Sequence, residues 1–168
     1  MSHEFENPHY LRIAKFGDPI LTSQSKEMSL EEISKSTKLT QEMRNLIQRH
    51  SYKGLAAPQV FFPYRLFIMA PYRGAFYETS RRDSTVVINP QIIQVSRNTD
   101  LSKESCVSVP GFTGLVTRSE TVWVEYTLPP GKIIRDKFSG FLSKVFQHEF
   151  DHLNGILFLS KAFDVHRI

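Results

Sequence analysis

Cysteine is nearly absent from this sequence of 168 residues: only Cys106 is present. One thiol cannot form an internal disulfide, which excludes a secreted scaffold held by crosslinks and makes a reducing, cytoplasmic setting the simpler expectation. Long apolar runs are missing too. No stretch approaches the ~18 uninterrupted apolar residues of a membrane span. The opening MSHEFENPHY is polar and acidic where a secretory signal needs a basic and then an apolar run. Nor does one sign of charge dominate. Against 21 Lys and Arg stand 17 Asp and Glu, leaving +4, and the basic residues are dispersed, with Arg81-Arg82 the tightest cluster. That pattern describes a solvated basic surface and not the footprint of a DNA-binding protein.

What is present is enough to fold. Hydrophobic residues make up 40%, including 13 Phe and 6 Tyr, and with no internal repeat, linker or low-complexity tract the chain reads as one domain, residues 1–168. The stretch from Asn7 to Pro19 reads as an irregular arm. Ser29-Leu30-Glu31-Glu32 has the form of a capping box, and after a polar interruption at Ser34 to Lys38, residues Leu39, Met43, Leu46 and Ile47 recur at helical spacing up to Arg49. Beyond it the period changes. Tyr64–Ala70, Thr85–Asn89, Ile92–Ser96 and Thr121–Thr127 are rich in β-branched and aromatic residues, and Pro129-Pro130-Gly131 reads as a hairpin turn into Lys132–Arg135. Helical character returns from Ser139 to Asn154, closed by Gly155. The expected class is α+β, with antiparallel or mixed sheets packed around the last helix and a helix near the N-terminus.

That last helix carries His148-Glu149-Phe150-Asp151-His152, an H-E-x-x-H motif. Four residues of helix place the two histidines about 40° apart on one face, where both imidazoles can reach one metal ion. Glu149 beside that face is placed to act as a general base. Phe141 and Val145 project to the same side and predict a buried face. Two histidines and a glutamate are costly to bury without partners, and a metal would satisfy both imidazoles.

A third ligand is then needed. The extension H-E-x-x-H-x-x-G-x-x-H fails because its final position is Phe158, and the 13 residues after Gly155 hold no glutamate, which leaves Asp164 and His166 downstream. Upstream, Cys106 sits in a strand-like piece, Glu104 to Gly111, 42 residues before His148. By itself Cys106 reads as a small core thiol. Beside an orphaned histidine pair it becomes the preferred third ligand, since one thiolate with two imidazoles makes a sound catalytic site for iron or zinc. A further segment, Gly54-Leu55-Ala56-Ala57-Pro58-Gln59, suits close packing of small residues, and Gln59 offers an amide donor of the kind that stabilises an oxyanion.

In this order, GLAAPQ, ESCVS and QHEFDHLNG resemble the three motifs of the peptide deformylase family, and the likeness extends from RIAKFGDPIL at Arg12 to Phe163. VPGFTGLVTR, residues 109–118, is more similar to the branch that includes organellar enzymes. The resemblance implies a metallohydrolase that releases formate from the formyl-methionine of new polypeptides. It implies one divalent ion, Fe2+ by preference with Zn2+, Ni2+ or Co2+ tolerated, held by Cys106, His148 and His152. It also implies Glu149 as the base, and the Gln59 side chain and Val107 N–H as oxyanion donors. The peptide is expected to bind as an added strand near Gly54 and Ser105, with a pocket for methionine, and Glu104 is either a support for a ligand imidazole or an exposed strand residue. A monomer with transient ribosome contact fits the same likeness. Three positions depart from the family: Tyr52 and Ser105 replace glycines where the peptide should run, and Thr113 stands where many bacterial members have a substrate-binding arginine. A peptidase or amidase with the same ligands, and a fold that binds without turnover, are the rival readings.

Overall fold

The computed structural model describes residues 11–74 and 81–168. Strand β2 (Leu66–Met69) is buried at every position, and its alternating side chains serve two separate cores. Leu66 and Ile68 point to one face of the sheet, Phe67 and Met69 to the other, as the two-residue period of a strand requires. Around it a five-stranded antiparallel sheet runs in the order β1 (Gly54–Ala56), β2, β3 (Thr85–Val95), β6 (Thr121–Leu128), β7 (Lys132–Ser139). A second, three-stranded sheet has the order β4 (Thr99–Cys106), β5 (Val109–Ser119), β8 (Phe163–Arg167). Strands β1 and β4 are free edges.

One face of the larger sheet is covered by α1 (Leu30–Lys35) and α2 (Thr37–His50), with Ile33, Leu39, Met43 and Ile47 packed on Leu66, Ile68, Val86 and Ile88. The capping box at Ser29 is formed: its Oγ accepts from Glu32 N at 3.2 Å, and Glu32 Oε2 accepts from Ser29 N at 2.8 Å. The interruption between the helices narrows to Ser36. The opposite face carries α3 (Phe141–Leu153), whose Phe146 meets Phe67 edge-on at 5.1 Å and stacks on Phe138 at 5.4 Å. The smaller sheet closes on the segment after α3 through Val109, Val116, Leu157 and Phe158. The α+β class with α3 at the centre is therefore observed. No helix among the described residues is long and apolar enough to cross a membrane.

Three expectations change. Thr85–Asn89 and Ile92–Ser96 are one strand, β3, kinked where Asn89 adopts φ +48° and its side chain bonds the backbone of Met28 at 2.8 and 2.9 Å. The piece from Glu104 to Gly111 is the tip of a long hairpin, β4–β5, which apolar alternation could not show because the inward residues of β4 are Ser102, Glu104 and Cys106. Phe141 is not on the buried face; it is 37% exposed and leans on Tyr72 with ring centroids 4.7 Å apart. Residues 7–10 of the expected arm lie outside the described residues.

Candidate metal and hydrolytic site

The inward face of β4 meets the buried face of α3. Sγ of Cys106 at the strand end and one ring nitrogen each from His148 and His152 lie within 4.8 Å of one another. Asp164 and His166, the downstream alternatives, are exposed on β8 and take no part in this group. His148 Nδ1 is 2.8 Å from Glu104 Oε2, which directs the opposite ring nitrogen, Nε2, toward Cys106. His152 turns Nε2 to Cys106 Sγ at 3.4 Å. Burial holds the His152 pKa well below its usual value, so this imidazole is neutral and fit to ligate. Burial also opposes protonation of His148, but its bonds to Cys106 and Glu104 outweigh that and raise its pKa well above the usual value.

Glu149 is buried, and burial pushes its pKa up to about 7, against the lowering effect of the neighbouring His148. A Cβ at position 54 would stand 2.6 Å from Glu149 Oε1 and 2.9 Å from its Cδ, so glycine there is what leaves room for the carboxylate. Among the described residues the buried side-chain polar atoms without a hydrogen-bond partner are Glu149 Oε2 and His152 Nδ1. Both belong to this one turn of α3, and orphaned groups gathered in this way mark a place where a ligand completes the network.

Gln59 sits on the short 3-10 turn Ala57–Val60 that follows β1 and is 1% exposed. Its Oε1 accepts from Ala56 N at 2.8 Å, which orients the amide so that Nε2 faces Ser108 Oγ at 3.2 Å and Cys106 Sγ at 3.5 Å. The arm before β1 ties these pieces together: Ala14 N donates to Gln59 O, Phe16 N to Ser108 O, and Lys15 Nζ to Val107 O. The three sequence motifs converge on a cavity of about 420 Å³ between the free edges β1 and β4, bordered by Gly54, Gln59, Ser105, Val107, His148 and Glu149. Tyr52 borders it too, stacked on His50 at 5.2 Å. Thr113 does not: it is buried, and its hydroxyl donates to the Glu104 carbonyl at 2.9 Å.

Glu104 is buried and not an exposed strand residue. Burial works to raise its pKa, yet bonds from His148 and from Arg118 hold it at about 2. Arg118 grips both Glu104 oxygens, through Nε at 2.8 Å and Nη2 at 2.9 Å, and Asp151 through Nη1 at 2.7 Å; Lys161 closes the chain on Asp151 at 2.9 Å. Sequence reasoning missed Arg118 and Asp151. The signal was there, since Val116 and Arg118 share the inward face of β5, and an inward charge demands a partner.

The profile of the polypeptide deformylase family matches residues 10–167. The peptide deformylase of Halothermothrix orenii is 40% identical over 153 residues, covering 90% of this chain and 93% of its own. Peptide deformylase 1B of rice, a chloroplastic enzyme, is 34% identical over 94% of this chain and 56% of its own, so relatives fall on both the bacterial and the organellar side. The Acinetobacter baumannii class I type b peptide deformylase, solved with Met-Ala-Ser bound, superposes with a TM-score of 0.81 at 35% identity, over 90% of this chain and 97% of its own. With three motifs gathered at one cavity and likeness along nearly the whole chain, the protein belongs to the polypeptide deformylase family.

Proposed function

We propose that the protein is a single catalytic domain that hydrolyses the N-formyl group from the formyl-methionine of newly made polypeptides. The observation that carries this reading is the convergence of Cys106, His148 and His152 beside the buried carboxylate of Glu149 and the fixed amide of Gln59. Cys106, His148 and His152 would hold one divalent ion, which supplies a Lewis acid and lowers the pKa of water; Fe2+ is the assignment, with Zn2+, Ni2+ and Co2+ as substitutes. Glu149 takes the proton of the attacking water and returns it to the departing amine, a role suited to a carboxyl whose pKa burial has raised. Gln59 Nε2 and Val107 N–H donate to the carbonyl oxygen as it gains charge. The peptide backbone pairs with the open edges near Gly54 and Ser105, in keeping with the Met-Ala-Ser bound to the Acinetobacter enzyme. A monomeric protein in the reducing cytoplasm, touching ribosomes only in passing, completes the reading.

The test is anaerobic purification with metal analysis and a formate-release assay on the same sample. One equivalent of metal and formate from formyl-Met-Ala-Ser are expected, with Glu149→Ala losing about 10²- to 10⁴-fold in kcat while retaining metal. Metal binding without formate release would overturn the substrate assignment.

A further inference from the structure

The cavity continues past the proposed metal ligands along two parallel walls. On β4, Cys106, Glu104 and Ser102 share the inward face, and Ser102 lies about 13 Å up the strand from Cys106. On α3, Val145, Lys144 and Phe141 step away from His148 over nearly two turns. The helix side of this far end is apolar, because the Lys144 ammonium is tied to Asp100 Oδ2 at 2.6 Å and to the Leu101 carbonyl at 2.9 Å. The strand side carries a hydroxyl. Ser102 is a largely buried residue whose hydroxyl is not sealed off but opens to the cavity it borders, with no side-chain hydrogen-bond partner among the described residues.

A formyl carbon at the metal leaves the first side chain of the peptide to run along these walls. A purely aliphatic side chain there would strip water from the Ser102 hydroxyl and offer nothing in return, whereas one with an acceptor atom at that depth replaces the lost bond. Resting on the deformylase reading above, we propose that Ser102 is a specificity-determining residue. Its hydroxyl donates to an acceptor in the first side chain, so the substrate class is formyl peptides beginning with methionine or methionine sulfoxide in preference to the isosteric norleucine. The sulfoxide oxygen is the stronger acceptor of the two, the thioether sulfur a weak one.

The metal-loaded protein is to be assayed with formyl-Met-, formyl-Met sulfoxide- and formyl-norleucine-Ala-Ser, as wild type, Ser102→Ala and Ser102→Thr. Ser102→Ala is expected to lower kcat/KM for the sulfoxide relative to norleucine by about tenfold, mainly through KM, with a smaller loss for methionine. Ser102→Thr, which keeps the hydroxyl on a strand, restores the ratio. A change in that ratio of less than about twofold in Ser102→Ala, or an equal loss in Ser102→Thr, overturns the proposal. Calorimetric binding of the three deformylated tripeptides reads the same contrast without turnover. Should no formyl peptide release formate, the deformylase reading fails by itself, and the tripeptide affinities still decide on Ser102.

Discussion

At position 54 a methyl group would stand 2.6 Å from Glu149 Oε1, with no flexible tip to give way except the carboxylate itself. Gly54→Ala therefore tests positioning of the proposed base apart from metal binding. Displacing a reacting group by about 1 Å costs on the order of 10²-fold, so kcat should fall by roughly that factor while metal stoichiometry holds; an unchanged kcat would show that Glu149 is not held by this contact. The same residue shows what sequence reading could and could not reach. H-E-x-x-H fixes the spacing of His148, Glu149 and His152 on a helix, but the clearance that lets Glu149 lie beside β1 belongs to a glycine nearly a hundred residues earlier.

Among the elements, the contact of α3 with the β4–β5 hairpin carries the site, and Arg118 is its charged centre. Arg118 neutralises Glu104 and Asp151, and Glu104 in turn holds His148. Replacing Arg118 by Met removes one cation from between two buried carboxylates. Unfolding in urea should then show a loss of about 3–5 kcal/mol, and metal affinity should weaken by about 10- to 100-fold as the support of His148 loosens. Equal stability and affinity would show that the cluster supports neither the fold nor His148. The helices and strands β2, β6 and β7 were legible beforehand, as where β6 alternates buried Val122, Val124 and Tyr126 and α2 repeats Leu39, Met43 and Ile47. Strand β4 was not, since its inward residues are polar and serve the cavity.

For the molecule as a whole, the proposed ligands bridge two layers: Cys106 comes from the three-stranded sheet, His148 and His152 from the helix packed on the five-stranded one. An ion bound there binds the folded chain and not the unfolded one, so at about a hundred times its Kd it should add about 2.7 kcal/mol. Scanning calorimetry with and without a chelator should show a lower Tm on metal removal, and Cys106→Ala should erase the difference; a Tm indifferent to chelation would separate these three residues from any metal. By itself the sequence determined the capped N-terminal helix, the H-E-x-x-H helix and the central strands, because periodicity, capping and motif spacing are properties of neighbouring residues; for Cys106 it offered only a preferred candidate for a third ligand. Only the tertiary structure decided that Glu104 is buried and paired with Arg118, that Thr113 is buried and does not line the cavity, and that Gly54 and Ser102 do. Those outcomes depend on which distant surfaces meet, and burial, partnering and clearance exist only after they have met.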